Sequence, residues 1–255
     1  MTLFGVVLAL AVGLVLGLLG GGGSILAVPI FLYVFHVPPK PAIAMSLVVV
    51  GMSAFIGFLT HWRQGTVNVR IAAMFGLLAM MGSFAGARVA RFVPATIQLT
   101  LFAAFAFTGA LLMLRDSMRL PAAPATPTHA ATSRQFSTVL GVEALAVGVL
   151  TSLIGAGGGF LIVPALVLVA NVPVQQAVGS SLLIIAMNAS SGVAGYLGQV
   201  AFDWRLVAWF TGVATIGAIA GTRFMRRVPA ARIKQGFAIM ILVLGTYLVI
   251  RRLTH

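Results

Sequence analysis

The chain has no cysteine and only three acidic residues in 255: Asp116, Glu143 and Asp203. The first absence excludes disulfides and thiolate metal sites. The second leaves no paired carboxylates for hydrolytic chemistry. Four scattered histidines, among them His129 and His255, make no metal set. No glycine run is followed by the Lys-Ser/Thr of a phosphate-binding loop, so direct ATP drive has no basis. The sequence therefore predicts no enzyme and no cofactor. Charge of either sign is scarce, at 7% of residues against about 25% in a soluble domain. The net charge of +13 comes from sixteen basic residues. They sit mostly in short loops between apolar runs, as topology signals do. They form no arginine-rich tail and no aromatic-interleaved patch, which excludes nucleic acid as a partner. Their remaining electrostatic partners are anionic lipids and anionic solutes.

What is present is apolar. Hydrophobic residues make up 60% of the chain. Runs of the roughly 20 residues needed to cross a bilayer fill nearly all of it. The expectation is a polytopic helical membrane protein. The start, Met1-Thr-Leu-Phe, carries no basic n-region, so the first hydrophobic segment is read as part of the fold.

Two glycine-rich signals interrupt the apolar runs. One covers Gly20 to Gly23, then Ser24 and Pro29; the other covers Gly155 to Gly159, then Pro164. Pro164 lies 135 positions after Pro29, and the same offset pairs Ser46 with Ser181, Gly57 with Gly192, Gln64 with Gln199 and Arg88 with Arg223. These pairs involve residue types that apolar sequence does not match by chance, so the chain is read as an internal duplication. Such duplications are a habit of secondary transporters. The one long polar stretch, with Pro121, Pro124 and Pro127, reads as a linker between the halves. The predicted organisation is a first transmembrane repeat over 1–119, a Pro-rich linker over 120–137 and a second repeat over 138–255.

Each half contains four hydrophobic blocks: 3–36, 42–61, 67–90 and 96–114, then 138–171, 177–198, 204–225 and 231–250. The first block of each half is too long for one span. Its 34 residues would rise ~51 Å as a single helix, against a hydrocarbon core of ~30 Å. A break or hairpin at the glycines resolves this, giving eight to ten membrane segments. If each first block were one span, the sixteen Lys and Arg would divide evenly between the two sides. If it folds back, ten fall on one side and six on the other. The positive-inside rule then favours the fold-back, with the linker cytoplasmic and both termini outside. An odd number of segments per half also inverts the repeats. The expected fold is all-α, with two homologous inverted repeats that each begin in a broken or hairpin helix. Nothing in the sequence speaks against a homo-oligomer.

Glycine runs expose backbone amides, and a helix beginning at one presents its positive end, a ready anion site. The candidate solute ligands are therefore Gly21, Gly22, Gly23 and Ser24 in the first copy, and Gly157, Gly158 and Gly159 in the second. Ser24 stands where an N-cap belongs. The competing explanation is close helix packing, although packing glycines are normally spaced by four. In the second blocks Ser46 and Ser53 lie two helical turns apart on one face, as do Ser181 and Asn188, with Ser180 adjoining. These groups are expected to face the protein interior and to donate to an anion, or else to bond a neighbouring helix. Four further residues are candidates for gating or coupling. His61 can carry a proton, or sit with Trp62 and Tyr196 at the membrane interface. Arg88 and Arg223 either draw anions to two mouths or snorkel. Glu143, a carboxylate in an apolar block, is a candidate for proton coupling. Asp203, aligned with Asn68, suits a turn or cap.

The motifs in order are a Gly-rich turn ending in Pro29, Ala42 to Ser46, Gly65-Thr-Val-Asn68, and Gly82 to Arg88. Their second copies are Gly155 to Pro164, Ala177 to Ser181, Val200-Ala-Phe-Asp203, and Gly217 to Arg223. This pattern resembles the sulfite exporter TauE/SafE family, with Val200 departing from the usual glycine. The resemblance implies a multi-pass inner-membrane transporter of small anions, often sulfur-containing ones such as sulfite or organosulfonates. The leading expectation is a secondary transporter exporting such an anion, with the solute held between the two broken helices. An anion channel and a non-transporting membrane assembly protein are the competing expectations.

Overall fold

The computed structural model describes residues 3–19, 24–118, 138–155, 159–168 and 172–224. All regular structure among them is helical. The elements are α1 (Leu3–Leu19), α2 (Ser24–Pro29), which continues into a π-helical turn (Ile30–Val34), α3 (Pro39–Arg63), α4 (Val69–Ala90) and α5 (Ala95–Met118). After the linker come α6 (Thr138–Ile154), α7 (Gly159–Leu168), α8 (Val174–Tyr196) and α9 (Trp204–Phe224). Within α3, α4, α8 and α9 lie four stretches long and apolar enough to cross a membrane; α1, α6 and the stretch Ser24–Val34 are apolar but shorter. The chain is a multi-pass membrane protein. The expected block at 231–250 and the linker lie outside the described residues.

Local chemistry fixes the boundaries. The Asn68 side chain accepts from the Ile71 amide at 3.2 Å and caps α4, and Asp203 does the same for α9 through the Leu206 amide at 3.0 Å. The turn before α4 uses a left-handed glycine, Gly65 at φ +70°, and the turn before α9 uses Gly198 at φ +78°. The left-handed glycine of the second turn thus comes two positions before Val200, which accounts for that departure from the motif. The first long block is broken as expected. Pro29 brings no amide hydrogen to its helix, and the chain widens into the π turn just after it. It then reverses through His36 at φ +53°, and the Val37 amide bonds the Phe31 carbonyl at 2.9 Å. A Cβ at Gly5, near the start of α1, would lie 3.0 Å from the Phe35 ring. The block has therefore folded back on itself, and the single-span alternative does not occur. Phe31 and Phe35 in turn pack on Phe210, with ring centroids 5.0 and 6.0 Å away, and pin the returning arm to α9.

Helices pack through glycine at backbone distance, the expected means of association where lipid gives apolar surfaces no reason to pair. Helix α1 lies along α9, and α6 along α4. A Cβ on Gly13 would overlap the Ala214 carbonyl, and one on Gly17 the Ala218 carbonyl, so α1 and α9 run parallel. Gly82 and Gly86 meet the carbonyls of Leu145 and Val149, so α4 and α6 are parallel too. The same contacts recur 135 residues away: Gly217 and Gly221 meet Leu10 and Leu14, and Gly148 meets Ala79. The first arm of each half thus packs against the other half. Between the two pairs lie α3 and α8, the two most buried of the four long apolar helices. Gly51 abuts Ala189 and Gly57 abuts Leu182, so α3 and α8 cross antiparallel.

Candidate functional site

Helices α3 and α8 carry the expected polar residues into a dry interior. Ser46, Ser53, Ser180, Ser181 and Asn188 are all buried, as is Ser24, the first residue of α2. Gly159, the first residue of α7, is buried as well. Gly21, Gly22, Gly23, Gly157 and Gly158 lie outside the described residues. Buried polar groups normally find a hydrogen-bond partner, so the partners sort these side chains.

Some are committed to holding the fold. Gly155 opens the second glycine turn at φ +75°, with its amide on the Thr151 carbonyl at 2.7 Å. The Ser46 hydroxyl reaches both the Gly155 carbonyl and the Ile43 carbonyl at 2.7 Å. A residue of the first half therefore holds the glycine turn of the second, and a Cβ on Gly155 would meet the Ser46 oxygen at 2.8 Å. Ser180 accepts from the Asn68 amide at 2.9 Å and steadies the turn before α4. Ser181 donates to the Val178 carbonyl at 2.8 Å.

Others have no partner. The Ser53 hydroxyl and both amide atoms of Asn188 are buried without any hydrogen bond. The two residues are counterparts at the 135 offset, one on α3 and one on α8. An unsatisfied buried amide costs about 1–3 kcal/mol. Two such groups stand at equivalent positions of the central helices. Thr151 joins them, buried and unpartnered one turn before Gly155.

Beside Asn188 sits a hydroxyl cluster. Ser83 donates to the Asn188 carbonyl at 2.8 Å and meets the Ser152 hydroxyl at 2.5 Å. The Tyr196 hydroxyl donates to the Ser152 carbonyl at 2.8 Å. Gly192 leaves room for the cluster, since a Cβ there would lie 2.8 Å from the Ser83 oxygen. Thr151, Ser83 and Ser152 are absent from the sequence-level candidates. Their counterparts at the 135 offset are Leu16, Ala218 and Gly17, so comparing the halves gave no polar signal. Ser83→Ala should lower thermal stability in detergent by about 0.5–1.5 kcal/mol, because it removes the bonds to the Asn188 carbonyl and the Ser152 hydroxyl while Ser152 keeps its bond to the Ser83 carbonyl at 2.6 Å. An unchanged melting midpoint would show that the cluster holds nothing.

His61 lies in the last turn of α3 and Tyr196 ends α8. Trp62 is exposed, but Tyr196 and His61 are each only 1% exposed. The Tyr196 hydroxyl and His61 Nδ1 find partners inside the protein. His61 Nδ1 lies 3.0 Å from the Thr66 hydroxyl, and that hydroxyl donates to the His61 carbonyl at 3.1 Å. Nε2 is buried without a partner. Arg88 and Arg223 are exposed, and the Arg88 guanidinium lies 5.2 Å over the Phe84 ring. That placement suits snorkelling rather than contact with the buried polar groups. Glu143 is half-buried on α6. Among the described residues no group of three or more His, Cys, Asp or Glu is placed to hold a metal ion.

Membrane-crossing helices around buried, unsatisfied polar side chains form the arrangement of a multi-pass membrane transporter rather than of an enzyme. The chain belongs to the Sulfite exporter TauE/SafE family, whose sequence pattern matches residues 5–248. A "Probable membrane transporter protein" of Xylella fastidiosa strain Temecula1 is 33% identical over 243 residues, covering 94% of this chain and 92% of its own. The "Probable membrane transporter protein YdhB" of Bacillus subtilis is 27% identical over 236 residues, covering 92% and 95%. No solved structure matches the chain.

Proposed function

We propose that this protein is a secondary transporter of the inner (plasma) membrane that exports a small, sulfur-containing anion such as sulfite or an organosulfonate. The observation that carries this reading is the pair of unpartnered, buried counterparts Ser53 and Asn188 on two helices that cross antiparallel. If α3 and α8 both cross the membrane, the antiparallel crossing of equivalent helices is what inverted repeats produce. Ser53 and Asn188 then belong to one central site approached from two sides. Rocking of one half against the other alternates access. Export of an anion from an inside-negative cell is electrically downhill, so no dedicated coupling carboxylate is required.

Reconstituted full-length protein should support saturable efflux of sulfite or sulfoacetate from liposomes, measured beside thiosulfate, sulfate and taurine with and without a pH gradient. Protein-free vesicles should not. Efflux that stays linear with concentration and gives resolvable unitary currents would replace the carrier by a channel. No flux of any anion would remove the reading.

A further inference from the structure

The chemistry of the unpartnered groups narrows the solute, given the reading of this site as one for an anion. Asn188 is fully buried, and neither Nδ2 nor Oδ1 has a partner. Exchanging the two ends of the amide leaves the count unchanged: two N–H donors and one carbonyl acceptor remain open. Ser53 and Thr151 are two further buried hydroxyls without a partner, each able to donate or accept. A bare oxyanion such as sulfate offers acceptors only. It satisfies Nδ2 and the hydroxyls, but it faces the Asn188 Oδ1 lone pairs with its own. A solute that completes this set brings a hydrogen-bond donor as well as acceptor oxygens.

Charge points the same way. Among the described residues whose side chains are placed, no lysine or arginine is buried, and Arg63, Arg70, Arg88, Arg205 and Arg223 are all exposed. None of these cations offsets the charge of a solute at Asn188. The cost of bringing an ion out of water rises with the square of its charge, so a dianion is about fourfold worse than a monoanion. We infer that the site selects a singly charged anion that carries its own N–H or O–H, such as a protonated oxyanion or an amino-substituted sulfonate, with Asn188 Oδ1 reading the donor.

Sulfamate and methanesulfonate form a matched pair of tetrahedral monoanions, with an amino group in one where the other has a methyl. In proteoliposomes of the full chain, sulfamate should be carried at least about tenfold better than methanesulfonate, the ratio expected when a buried acceptor is left unpaired. Sulfate should fall below both. Asn188→Ser gives α8 the residue that α3 has at the equivalent place, and it should bring the sulfamate-to-methanesulfonate ratio close to one. Equal flux of the two probes in the unaltered protein overturns the donor requirement and leaves anion transport standing. Flux of neither probe, nor of sulfite, overturns both. A sulfamate preference that survives in Asn188→Ser takes the role away from Asn188. If that variant does not fold, the ratio in the unaltered protein decides alone.

Discussion

Asn188→Leu should make the protein more stable and a poorer transporter. Leucine branches at Cγ as asparagine does, so it fills nearly the same space. The native amide is fully buried and makes no bond within the protein. Replacing it removes a desolvation cost without removing an interaction. The gain is about 1–3 kcal/mol, read as a higher melting midpoint in detergent. A solute that depends on the amide loses it, so efflux should drop at least about tenfold at a fixed amount of folded protein. The pairing of the two effects is diagnostic, because function is commonly retained at the expense of stability. A residue serving only the fold gives the opposite result, with lower stability and unchanged flux per folded molecule. Ser83→Ala belongs to that second class, since its hydroxyl is already bonded on two sides.

The largest effect on the fold is expected from Gly13→Ala. The added methyl would overlap the Ala214 carbonyl oxygen, which is backbone and has no rotamer to move to. Helices α1 and α9 would have to separate along the seam formed by Gly13, Gly17, Gly217 and Gly221. A loss of about 3 kcal/mol or more is expected from overpacking at a backbone contact. Gly148→Ala, its counterpart on α6, should act alike through the Ala79 carbonyl. At Gly212 nothing lies within 4 Å of the place a methyl would take, and Gly212→Ala should gain about 0.5–1 kcal/mol from helix propensity. Melting midpoints of the three variants in one detergent test this directly. If Gly13→Ala matches Gly212→Ala, the close α1–α9 contact is not part of the folded state.

Much of the architecture was readable because it is written locally. Each first block exceeded one bilayer crossing, and the first of them folds back, bringing Phe35 to Gly5. Asn68 and Asp203 announced caps, and the hydrogen bonds made from those positions match. The second blocks showed polar residues at two-turn spacing, and all of them are buried. The places of Tyr196 and His61 at helix ends were readable, but their burial against neighbouring helices was not. Only the fold supplies the Ser152 carbonyl and the Thr66 hydroxyl that draw them inside. Thr151, Ser83 and Ser152 went unseen for a different reason. A comparison of the two halves finds what both copies keep, and these hydroxyls exist in one copy alone.

By itself the sequence determined that the chain is helical and that it lives in a membrane, and its 135-residue offset was the ground for expecting a doubled plan. Those properties follow from apolarity, segment length and glycine, which act within a few residues of themselves. The tertiary structure decided that α1 crosses to α9 and α6 to α4, that α3 and α8 meet antiparallel, and that Ser46 closes on the opposite glycine turn. It also decided which buried polar atoms are satisfied. A serine bonded to a carbonyl 109 residues away and a serine bonded to nothing are the same letter in sequence. Only the packing of the backbones separates a strut from a place to hold a solute.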